Sequence, residues 1–85
     1  MNTKHTIHVA EARLTPYGHT LKAFLLLDTR DDTMKTALLD AHDIESAVQS
    51  LTSDEPDPRV RFVIATTELK RQMILAAARE MILVG

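Results

Sequence analysis

Cysteine and tryptophan are absent from this chain of 85 residues, and glycine occurs only as Gly18 and Gly85. Without cysteine there is no disulfide, no thiolate zinc site and no cysteine nucleophile. Two isolated glycines cannot build a glycine-rich phosphate loop. Aromatic side chains are limited to Tyr17, Phe24 and Phe62, too few for a platform on which single-stranded nucleic acid could stack. No apolar run approaches the roughly 18 residues of a membrane span. The opening MNTKHTIHVAEAR lacks the apolar core of a signal peptide. The expectation is a cytoplasmic chain with no membrane association. A formal net charge of -2 gives no global attraction to nucleic acid or to an anionic surface.

What is present is an ordinary globular composition, 45% hydrophobic and 26% charged, which predicts a folded chain rather than a disordered one. The length suits a single domain over residues 1–85 with a thin core, since a chain this short buries only about 60 to 65% of its unfolded surface.

Apolar and polar residues alternate through HTIHVAEARL, with Ile7 and Val9 in one register, as in a strand with one wet face. Pro16 and Gly18 in TPYGH favour a reversal, and TLKAFLLLD follows as a second strand. This second run is almost continuously apolar from Ala23 to Leu27 and belongs at the centre of the sheet. DTRDD (Asp28 to Asp32) is the next turn. The stretch from Thr33 to Leu51 fits two readings: one long helix, or a third strand TMKTALLD followed by a shorter helix IESAVQSL opened by Asp40 or Asp43. Thr33, Thr36 and the preceding turn favour the strand. TSDEPDPR is an acidic linker, expected to be mobile, because its prolines cannot continue the helix. VRFVIATT is a fourth strand, with Val60, Phe62 and Ile64 alternating with Arg61 and with Val63 on the other face. Thr66 or Thr67 then caps a last helix ELKRQMILAAAREMILV, whose Glu68 suits the helix dipole.

The predicted order is strand, strand, strand, helix, strand, helix. It defines an α+β fold, a small antiparallel or mixed sheet with two helices packed on it, covering at least one face. In topology alone this resembles the first half of the ribonuclease-H-like fold. The resemblance implies carboxylates converging on two metal ions. Glu11 and Glu45 could supply two, but the fourth strand ends in IATT with no acid before Glu68.

Candidate chemistry is sparse elsewhere. His5 and His8 lie on opposite faces of one strand. His19 could join one of them and Glu11 in a zinc site, although no ligand spacing marks one. Asp54, Glu55 and Asp57 lack the spacing and central glycine of a calcium loop. His42, Asp43 and Ser46 are triad residues by type, too close together on one helix to act as one. No cofactor and no catalytic set are expected. Arg59, Arg61, Lys70 and Arg71 form a small basic cluster that could meet phosphate or an acidic partner.

The last helix carries more apolar surface than one sheet can cover. Leu69, Met73, Ala76, Ala77 and Met81 form the stripe predicted to face the core. Ile74, Ala78 and Ile82, with Leu75 and Leu83, occupy the remaining surface. A helix apolar nearly all round is usually covered on several sides. Two covers are conceivable, the first helix packed across the last or a second molecule. The second leads to the expectation of a non-enzymatic protein-binding module, a regulator or inhibitor, and a homodimer through this helix or an exposed strand edge. Its partner contacts would be Met73, Ile74, Ala78, Met81 and Ile82, while a nucleic-acid-associated protein using the basic cluster is the alternative.

Overall fold

The computed structural model describes residues 5–12 and 22–84, with side chains as far as residue 79. The elements are β1 (His5–Ala12), β2 (Lys22–Asp28), β3 (Thr33–Leu39), α1 (Ile44–Asp54), β4 (Val60–Ile64) and α2 (Thr67–Val84). Residues 33–39 are therefore a strand, and the order is the one predicted. The sheet runs β3-β2-β1-β4. β1 and β2 pair antiparallel, as do β2 and β3, whereas β4 lies parallel to β1. The expected TPYGH reversal lies outside the described residues; the strands before and after it pair antiparallel, with Ala12 opposite Ala23.

Side-chain alternation along the two central strands divides the core. On one face Val9 and Phe24, both fully buried, pack with Ala41 and Ala47, flanked by Ile44, Val48 and Leu51 of α1 and by Leu26, Leu39 and Phe62. On the other, Ala10 and Leu25 pack with Ala65 and Met73, flanked by Leu69 and Ala77 of α2 and by Ala12, Leu27 and Met34. Each helix has a face of the sheet to itself. Two helices sandwiching one sheet form three layers, and the sheet stands between α1 and α2.

Local chemistry sets the helix ends. Asp43 is the N-cap of α1, extended at φ -146° and ψ 180°, and its Oδ1 accepts the Ser46 N–H at 2.8 Å, satisfying one of the unpaired donors of the first turn. The helix continues through Asp54, beyond the expected stop at Leu51. The hydroxyl of Thr52 donates to the Val48 carbonyl at 2.8 Å, so a residue that favours loops is here accommodated within the helix. Glu55 ends it in the extended region at φ -86° and ψ 116°, the conformation preferred before Pro56.

Both polar turns are closed by aspartates. Between β2 and β3, Asp28 Oδ1 accepts the Arg30 N–H and Asp31 Oδ1 accepts from the Thr33 hydroxyl and N–H. Asp32 sits at φ 57°, a left-handed position that an aspartate tolerates better than most residues. Before β4, Asp57 accepts the Arg59 N–H at 2.9 Å, and the Val60 N–H donates to the Asp57 carbonyl at 3.1 Å. The segment expected to be a mobile linker is thus a hydrogen-bonded turn.

Truncating the fully buried Phe24 to alanine should cost about 3–5 kcal/mol, read as a fall in the urea midpoint. A second expectation concerns acid. Three carboxyls lie below their usual 3.8: Asp31 through the Thr33 hydroxyl, Asp43 through the Ser46 N–H, and Asp57 through the Arg59 guanidinium. Groups depressed in the folded chain stabilise it above their unfolded value and lose that effect as pH falls through the folded values. The urea midpoint should therefore hold from neutral pH to about 5 and drop below about 4, and a variant carrying Asp31→Asn, Asp43→Asn and Asp57→Asn should show a shallower drop.

Candidate partner-binding surface

α2 opens with the hydroxyl of Thr66 accepting the Leu69 N–H at 3.2 Å, and Glu68 lies in the first turn, where its charge complements the helix dipole. Leu69, Met73 and Ala77 follow at intervals of four and line the inner face. This stripe is narrower than expected. Ala76 is exposed, because it is rotated about 60° from Met73 and its single methyl does not reach the sheet.

The predicted partner contacts divide accordingly. Met73 is 2% exposed, a core residue unavailable to any partner. Ile74 and Ala78 are exposed, at about 100° and 140° around the helix from Met73. Met81 and Ile82 belong to α2, with side chains outside the described part. Leu75 is absent from the predicted set, yet at 55% exposed it is the most open large apolar side chain described, ahead of Leu38 on β3 at 53%. Ile64, at the end of β4, is 47% exposed. Both Leu38 and Ile64 lie on edge strands, and only the order of strands in the sheet reveals that.

The basic cluster is less uniform than its sequence implies. Arg59 is held as a fork by Asp57, Nε to Oδ1 at 3.1 Å and NH2 to Oδ2 at 3.3 Å, and this carboxylate raises the guanidinium pKa further. Arg61, Lys70 and Arg71 are exposed. Three of the four predicted cations thus remain available, and the fourth belongs to a turn.

Among the described residues the carboxylates and histidines do not converge. Glu11 is 3.7 Å from the Lys22 ammonium, which also donates to the His42 carbonyl at 2.8 Å. Glu45 is on α1 and Glu68 on α2, with the sheet between them. His5 approaches Asp28 at 3.8 Å on the α1 face, and His8 faces the other way, next to Val63. His19 lies outside the described residues. Among the described residues no three metal-ligating side chains gather. Asp43 of the triad-like set is spent as a helix cap.

Fold and surface together define a small three-layer α+β domain with one helix face that no described residue covers. No family model, no curated protein and no solved structure matches the chain. Among the described residues no helix is long and apolar enough to cross a membrane.

The Arg59 fork makes a direct prediction. Asp57→Ala should release the guanidinium and shift elution from immobilised heparin to higher salt, and adding Arg59→Ala should reverse the shift. An unchanged elution position in Asp57→Ala would show that the fork does not limit the cluster.

Proposed function

We propose that this chain is a non-enzymatic, cytoplasmic protein-binding module that occupies a partner's surface, as a regulator or inhibitor does, and self-associates through the outer face of α2. One observation carries the reading. The sheet separates the two helices, so α1 cannot be the cover for Ile74, Leu75 and Ala78. Full burial of a large aliphatic side chain is worth about 1.5–3 kcal/mol. Ile74 and Leu75 start roughly half exposed, so each retains about 1 kcal/mol to be gained by association. The small side chains of Ala76 and Ala78 would allow close approach of a second helix. A membrane surface is a poorer cover, because the charged residues described on α2 are of both signs, Glu68 beside Lys70, Arg71 and Arg79, rather than the strongly cationic face of interfacial helices.

The nucleic-acid alternative draws no support from a fourth cation already committed to Asp57. Self-association through α2 predicts that Ile74→Glu with Leu75→Glu weakens the oligomer by at least about tenfold and leaves the circular dichroism spectrum unchanged. Light scattering across a dilution series reads the mass. A wild-type chain that is monomeric throughout, or an oligomer indifferent to both substitutions, would refute the assignment to α2.

A further inference from the structure

Among the described residues, the outer edge of β4 is an open hydrogen-bonding ladder. The Ala65 N–H donates to the Val9 carbonyl at 2.9 Å and the His5 N–H donates to the Arg59 carbonyl at 3.1 Å. The register His5 on Val60 through Val9 on Ile64 then directs the peptide groups of residues 61 and 63 toward β1 as well. Those of Phe62 and Ile64, with the Val60 carbonyl, alternate outward. Among the described residues no strand pairs with that side.

The side chains of the strand give the edge a pattern. Val60, Phe62 and Ile64 share the face that carries α1; Phe62 packs against the Val9 cluster, and Ile64 is left largely open beside it. Arg61 points to the opposite face, exposed and with no salt bridge among the described residues. Natural edge strands are usually blunted by short length, by charged side chains, above all lysine, by proline or by a bulge, and of these β4 has only its five-residue length and Arg61. The far edge, β3, carries an exposed Lys35 in mid-strand, whereas residues 60–64 contain neither lysine nor proline.

We propose that the outer edge of β4 takes an extended segment of another protein as a fifth strand, with apolar side chains beside Val60, Phe62 and Ile64 and an acidic one beside Arg61. Cross-strand neighbours on one face interact directly, so the apolar row and the lone cation together specify a peptide apolar on the α1 face with an acidic side chain opposite Arg61, while Val63, on the Arg61 face, adds no charge preference at its own position. Strand addition draws its affinity from main-chain bonds and its specificity from alternate side chains. A peptide fits the edge better than a second folded copy. Five residues span about 17 Å, and a stable interface between folded chains buries about 1,200 Å² or more. α1, which lies over β4, offers little to enlarge it, since its exposed residues Glu45, Gln49, Ser50, Thr52, Ser53 and Asp54 are all polar. The site is distinct from the outer face of α2, because α2 packs its inner face against β1 and β2 and carries Ile74 and Leu75 on the side away from the sheet.

Fluorescence anisotropy with a labelled, capped pentapeptide alternating valine with glutamate tests this directly, with a valine–lysine peptide as its counterpart. Saturable binding of the glutamate peptide is expected, with the lysine peptide at least about tenfold weaker. Arg61→Glu should reverse the preference. Ile64→Pro removes only an outward donor and should abolish binding while the thermal transition is retained; if that variant does not fold, N-methylating the peptide backbone breaks the same ladder from the other side. The proposal is overturned if neither peptide binds at about 1 mM, if binding is indifferent to Arg61→Glu and to N-methylation, or if the edge is taken by a second copy, seen as a dimer that Ile64→Pro dissociates.

Discussion

Strand β1 is paired along both edges and covered on both faces, and the other elements take their places from it. Its antiparallel partner β2 and its parallel partner β4 place apolar residues opposite its own, Val9 against Leu26 and Ala10 against Leu25. Because successive side chains of a strand point to opposite faces, Val9 and Ala10 seed two separate cores. The larger residue, with Phe24 beside it, seats α1. The smaller one leaves space for Met73 and so draws α2 close.

That division explains why the two helices differ so much in what they expose. α1 is short, capped at Asp43 and apolar along one side, and its outer positions Glu45, Gln49 and Ser50 are polar. α2 has 18 residues, and a stripe of Leu69, Met73 and Ala77 meets the sheet. Among the described residues no layer lies over the apolar residues outside that stripe, since the sheet is on the inner side of α2 and α1 is beyond the sheet. A three-layer arrangement with one helix per face leaves such a surface open wherever the helix is apolar beyond one stripe. The acidic turns have a different role: Asp31, Asp43 and Asp57 spend their carboxylates on local N–H and guanidinium donors. Charge that would otherwise suggest a metal site is thereby committed to shaping the chain.

The elements themselves were legible. Alternation in HTIHVAEA and VRFVI and the threonines before Glu68 located the strands and the start of α2 to within a few residues. The helix that continued through Thr52, Ser53 and Asp54 was not, because a hydroxyl bonded to the Val48 carbonyl cannot be told from a loop residue by type. Of the candidate surface, Ile74 and Ala78 were recognisable from helical periodicity alone. The same periodicity placed Met73 both in the core stripe and among the partner contacts, and only its burial against Ala10 and Leu25 separates the two. Arg59 likewise read as a free cation until Asp57 was found beside it.

Periodicity and turn chemistry, which depend on residues a few positions apart, by themselves pointed to the order of strands and helices, to an N-cap at Asp40 or Asp43, and to an inner stripe that includes Leu69 and Ala77; the structure selected Asp43 and assigned Met73 to the core. The tertiary structure decided which strands became edges, which helix took which face, and therefore that Leu38, Ile64 and Leu75 would remain exposed. Those outcomes depend on pairing between segments far apart in the chain, such as His5 with Val60. Apolar residues alike in sequence acquire different surroundings only when that pairing is made.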